Sequence, residues 1–163
     1  MFFRSRAGRR ANSTLEFTLV GIPLIFTLIS VEEISRGMWI YTTLASTVAR
    51  TARYISVRGK DCACLTLGQI ATQITQTGTG LDAAQLQLTL TGASGSTSCN
   101  PLNTCSSSAT AWPSASDGTP GNNIQLKAVL PFKSALVMFW PGVQPTSIGT
   151  VNLNATSTQQ IEY

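Results

Sequence analysis

From Leu15 to Val31 the chain reads LEFTLVGIPLIFTLISV, and eleven of these seventeen residues are Leu, Ile, Val or Phe. A run of this length and composition predicts a membrane segment. Each such residue favours insertion by roughly 0.3–0.6 kcal/mol, against a cost of about 3 kcal/mol for a charge at the bilayer centre. Insertion is favourable by a small margin, and Glu16, at the upstream edge, belongs near an interface. Beyond the run the pattern changes to Ile34, Met38, Tyr41, Ala45, Val48, Ala52 and Ile55. These alternate steps of four and three are a helical seam with a seven-residue repeat. No proline intervenes between Pro23 and Pro101, and Gly59 is a natural stop. One helix is therefore predicted over residues 12–58, with its membrane segment at about 15–31 and an amphipathic extension over 32–58. From Leu15 to Arg58 it measures about 66 Å at ~1.5 Å per residue, roughly twice the hydrocarbon thickness. Its outer half needs something to pack against: the chain's own later sheet, a helix of another subunit, or both on different faces. Pro23 removes one intrahelical hydrogen bond and predicts a kink, with Gly21 loosening the same turn.

Past the helix, Leu67, Ile70, Ala71 and Ile74 share one face of a short helix that Gly78 to Gly80 terminates. Leu86, Leu88 and Leu90 alternate with polar residues as a half-buried strand. Ile124, Leu126, Ala128 and Leu130 repeat the pattern with Lys127 on the opposite face. A third strand over about 149–160 places Val151, Leu153 and Ala155 together. Residues 92–123 are rich in Ser, Thr, Gly and Pro and predict a long loop, with Trp112 expected to anchor it to the core, the alternative being contact with a partner. LPFKSALVMFWPG is too short for a second span and is interrupted by Lys133. Its Phe132, Leu136, Met138, Phe139 and Trp140 are expected between sheet and helix, the alternative being an exposed patch for a partner or membrane surface. The fold expected is α+β: a long N-terminal membrane-spanning helix packed on a small antiparallel sheet of about three strands. Residues 1–11 form a basic leader and 59–163 an exported α+β domain.

Charge changes the picture only at the start of the chain. Of eleven basic residues, Arg4, Arg6, Arg9 and Arg10 lie in the first ten positions, and the remaining seven balance seven acidic ones. The net charge of +4 thus belongs to the leader, where it fits the positive-inside rule rather than a nucleic-acid footprint. This orients the N-terminus to the cytoplasm and all that follows Val31 to the periplasm or beyond. Histidine is absent, which removes the commonest general base and metal ligand. Lys133 and Ser134 are adjacent, but adjacency in sequence does not make a nucleophile and its base. No catalytic residues, cofactor or metal are expected.

Four cysteines, Cys62, Cys64, Cys99 and Cys105, fall on the exported side, where disulfides are the default. The C-x-C and C-x5-C spacings do not match common four-cysteine zinc sites. A Cys62–Cys64 bond is cramped, so either Cys99 pairs with Cys105 or two bonds join the helix end to the loop.

The run is not followed by a small-residue cleavage site; Glu32, Glu33 and a helical pattern come next. A third reading, beside a secretory signal and a permanent signal anchor, is a pilin-type signal whose cut would fall before the run, between Ala11 and Asn12, making Glu16 the fifth and Phe17 the sixth residue of the remaining chain. A carboxylate in apolar surroundings is neutral or finds a cation, and the new ammonium terminus of a neighbouring helix is one. Arg10, Leu15, Glu16, Phe17, Leu19, Val20 and Pro23 together resemble the start of the TadE/TadG-like minor pilins of the tight-adherence (Tad) pilus system. Ala11 stands where that family usually has Gly. Ala49, Arg50, Ala52, Arg53 and Tyr54 resemble a second family segment, and Leu130-Pro131-Phe132 with the ending VNLNATSTQQIEY resembles its close. The resemblance implies a minor pilin or pseudopilin of the bacterial inner membrane, single-pass and available to an extracellular pilus used in adhesion. Its implied partners are other pilin subunits, a prepilin peptidase, the assembly machinery and the membrane, with Glu16 and Phe17 as elements of helix register. The competing expectation is a membrane-anchored exported binding module that does not polymerise.

Overall fold

The structure is a computed structural model that describes residues 7–58, 65–134 and 150–162, the first six of these as backbone only. Its first element, α1 (Ala7–Arg58), is a single helix of 52 residues, about 78 Å long at ~1.5 Å per residue. It begins inside the basic leader, upstream of Asn12, and it continues through Pro23.

The C-terminal part of α1 forms one wall of a core. Leu44, Val48, Ala52 and Ile55 are fully buried or nearly so, together with Thr47, Thr51 and Ser56. The seam read from sequence is buried only in its second half. Ile34 and Met38 are each 64% exposed and Tyr41 46%, and the core-facing row passes instead through Gly37, Ile40 and Leu44. The physical reason is that a straight helix has 3.6 residues per turn, so a seven-residue repeat drifts about 20° per heptad around it. The positions in register with Val48 have rotated off the sheet by Ile34.

Helix α2 (Leu67–Thr77) opens with a capping box: Thr66 Oγ1 accepts from the Gln69 N–H, and the Gln69 side chain accepts from the Thr66 N–H, both at 3.2 Å. It buries Leu67, Ile70, Ala71 and Ile74, the face expected from their spacing, and is capped by Gly78.

Four strands follow: β1 (Gln87–Thr91), β2 (Ser96–Cys99), β3 (Asn123–Lys133) and β4 (Thr150–Gln160), in the order β2-β1-β3-β4 and antiparallel throughout. The arrangement is α+β, as the sequence implies, with one strand more than expected. The extra strand is β2, which lies inside the predicted 92–123 loop and folds back on β1 with Leu88 opposite Cys99. The same loop contains a 3-10 turn, Leu102–Cys105. Leu88, Leu90, Ile124, Leu126 and Ala128 point to the core, and α1 lies over β3 and β4.

Candidate functional site

Two regions of the chain carry features that packing alone does not demand, and α1 belongs to both. The first is its apolar half. From Leu15 to Val31 the large apolar side chains on the exposed surface are between 48% and 77% exposed, and none of the apolar window is buried against the rest of the chain. The hydroxyls within this half are satisfied by their own helix. Thr18 donates to the Leu15 carbonyl at 2.9 Å, Thr27 to Leu24 at 2.7 Å, Ser30 to Phe26 at 2.7 Å and Ser35 to Val31 at 2.8 Å. In a medium without water such back-bonding removes the cost of an unmade hydrogen bond. By length and composition this helix is sufficient to cross a membrane.

Glu16 and Phe17 are both exposed at the upstream end, and the Phe17 ring lies back over Gly21 one turn on. The carboxylate therefore sits at the rim of a bare apolar surface, outside the folded head. Ala11 and Asn12, the expected processing pair, lie within the helical backbone of α1.

The second region is the junction where α1 enters the head. Arg36 Nη2 donates to the Lys133 carbonyl at 2.8 Å and meets Glu33 Oε2 at 3.2 Å, and its guanidinium lies 4.6 Å from the centre of the Phe132 ring. Phe132 in turn packs over Gly37, and the Trp39 indole covers Gly80. Gly80 has φ +84, and a Cβ there would lie 2.9 Å from the indole, so both conformation and space call for glycine. Two clefts flank this junction. One, of about 250 Å³, is lined by Arg36, Asp82, Gln85 and Lys133 among others. The other, of about 350 Å³, has mainly apolar walls including Ile34, Met38, Phe132, Val151 and Leu153. The sequence pattern shows the apolar residues but gives no sign that Arg36 would tie helix to hairpin, since its partner is a backbone carbonyl.

The loop is fixed at two further points. Trp112 is 5% exposed and its backbone N–H donates to the Leu65 carbonyl at 2.9 Å, so this residue anchors the loop as expected. Asp117, which sequence reasoning passed over, is buried and accepts from Ser94 Oγ, Ser114 Oγ and the Ser94 N–H. Burial acts to raise its pKa, but the hydrogen bonds from Ser94, Ser114 and the Ala93 backbone outweigh it and hold the carboxyl below its ordinary value. The available signal was chemical: a lone acid in a Ser-rich segment, close to glycine.

Cys99 and Cys105 are joined by a disulfide with a Cα–Cα separation of 5.7 Å. Of the pairings left open by the spacing, this is the one within the loop. Cys62 and Cys64 lie outside the described residues, as do Leu136, Met138, Phe139 and Trp140. Among the described residues no group of three or more His, Cys, Asp or Glu side chains converges on a metal position.

What the geometry defines is an α+β head built on one helix long and apolar enough for a bilayer. No family model, curated protein or solved structure matches the chain.

Proposed function

We propose that this chain is a minor pilin or pseudopilin of the TadE/TadG-like type, held in the bacterial inner membrane by α1 with its N-terminus cytoplasmic and its head periplasmic, and available to a Tad-type pilus for adhesion. The observation that carries the reading is that one uninterrupted helix serves two environments. Its first half presents an exposed apolar surface headed by Glu16 and Phe17, and its second half is part of the core of the head. A subunit with this construction can leave the bilayer without exposing apolar surface to water only if other helices replace the lipid. Its partners are then other pilin subunits, after a prepilin peptidase has cut between Ala11 and Asn12 and the assembly machinery has taken up the product.

Glu16 has a specific role in this scheme. As helices replace lipid, the surroundings remain poor in water, and a carboxylate there is stabilised by a cation. The ammonium of Asn12 on a neighbouring cleaved subunit supplies one and fixes the axial stagger between helices. The test is incorporation: Glu16→Ala and Glu16→Gln variants are expected to remain in the membrane but to be depleted at least tenfold from sheared fibres relative to wild type. Incorporation at the wild-type level would remove Glu16 from the mechanism.

A further inference from the structure

Span and sheet share α1 without a linker, and this places the Lys133 end of β3 at a definite height. From Val31, the last residue of the apolar run, to Gly37, under the Phe132 ring, is about 9 Å at ~1.5 Å per residue. One headgroup layer is about 5–8 Å thick. Among the described residues, the contacts of Arg36 with Lys133 and of Gly37 with Phe132 therefore lie at or just above the headgroups when Leu15 to Val31 fills the hydrocarbon. The hydrogen bond and ring contact between them keep the sheet from swinging away from the bilayer.

At this height the structure has an apolar groove. It runs between α1 and the beginning of β4, walled by Ile34, Met38, Phe132, Val151 and Leu153, with Val151 58% exposed. The opposite face of β4 is polar along its length, where Asn152, Asn154, Thr156 and Thr158 face solvent. Ile34 and Met38 continue the exposed apolar surface of the run without a break, and Trp39, 53% exposed, stands beside them as an amphipathic interfacial residue does. Glu33, which also lines the groove, is paired with Arg36, so its charge is compensated in place.

We infer that this groove is occupied by membrane phospholipid: the leaflet that surrounds the outer end of the span also covers Ile34, Met38 and Val151, so that the head is docked on the bilayer and not merely tethered to it. Continuity with the span selects lipid over a free apolar ligand, and the rigid junction keeps the groove at the bilayer surface. The inference rests on α1 spanning the membrane and is independent of whether the chain polymerises.

A genetically encoded photo-crosslinking residue replaces Val151, Ile25 or Thr158 in the full-length protein, which is reconstituted in vesicles of phosphatidylethanolamine and phosphatidylglycerol. Adducts are identified by mass spectrometry. Thr158 lies on the same strand as Val151, about 24 Å higher at ~3.4 Å per residue. The expected result is phospholipid adducts at Ile25 and Val151, with Thr158 at least tenfold lower. Adducts at Ile25 but not Val151 would overturn the docking alone, as would equal yields at Val151 and Thr158. Absence at all three would overturn the span itself, and an adduct from Val151 to a second copy of the chain would reassign the groove to subunit contact.

Discussion

Arg36 donates a 2.8 Å hydrogen bond to the carbonyl of Lys133, joining α1 to the last residue of β3 across 97 positions of sequence. The opposite end of the sheet is also fastened to the helix, through the Glu162 N–H to the Ser56 carbonyl at 3.4 Å. Between Arg36 and Ser56 the helix rises about 30 Å, and the eleven residues of β4 extend about 36 Å at ~3.3 Å each. Helix and strand therefore match in length, and the core is fixed to α1 at both ends.

Removing the lower attachment should loosen the head without unfolding it. Arg36→Ala deletes a charged hydrogen bond, an exposed ion pair and a cation–π contact, for an expected loss of about 1–2 kcal/mol. Arg36→Lys retains the charge but not the planar fork and should fall between. Urea titration of the detergent-solubilised protein, followed by tryptophan emission, measures the difference. Equal midpoints for Arg36→Ala and wild type would show that the junction bears no load.

Asp117 gives the head a defined response to acid. Its folded pKa lies below the value of about 3.9 for an unfolded Asp. Its contribution is therefore complete above that pH and is lost as pH falls through the lower, folded value. Wild type should exceed Asp117→Asn in stability by about 1–2 kcal/mol at neutral pH, with the gap closing below about pH 4. Parallel melts between pH 7 and pH 3 test this, and a gap independent of pH would refute the assignment.

Gly92 and Asp117 should be energetically coupled. A Cβ on Gly92 would stand 2.6 Å from Asp117 Oδ2, so Gly92→Ala displaces the carboxylate from its donors. The single change is expected to cost about 1–3 kcal/mol. In the Asp117→Ser background the cost should shrink, because the obstructing group is gone; a double-mutant cycle reads the difference directly.

Thr51 predicts a gain. It is fully buried in α1 and its hydroxyl has no hydrogen-bond partner among the described residues. Thr51→Val keeps the shape and removes an unsatisfied polar atom, which should stabilise the protein by about 1–2 kcal/mol in the same urea assay. Destabilisation would mean that the hydroxyl has a partner in the folded state.

The elements legible in the sequence are those whose side chains alternate or recur against a buried face. Leu86, Leu88 and Leu90, the Ile124 to Leu130 set and the Leu67 to Ile74 face all stand where their periodicity places them. Strand β2 was not legible because its four residues, STSC, bury only Cys99 and so carry no alternation. It is held by backbone pairing to β1 and by the Cys99–Cys105 bond, and neither leaves a hydrophobic pattern. Phase along α1 is legible only in part for a related reason. A seven-residue repeat predicts which residues share a line, whereas the position of the sheet determines how far that line remains buried. Glu16 and the apolar run are visible directly in the sequence, but the rigid junction is not, since it depends on a carbonyl and on the glycine at 80.

The proposed function stands on a processed pilin, and the most direct measurement is the mass and N-terminal sequence of the protein from its own cells, with and without the prepilin peptidase. The predicted result is a chain beginning at Asn12 when the peptidase is present and an intact leader, Met1 to Ala11, when it is absent. A leader retained in full in piliated cells with active peptidase would contradict the account.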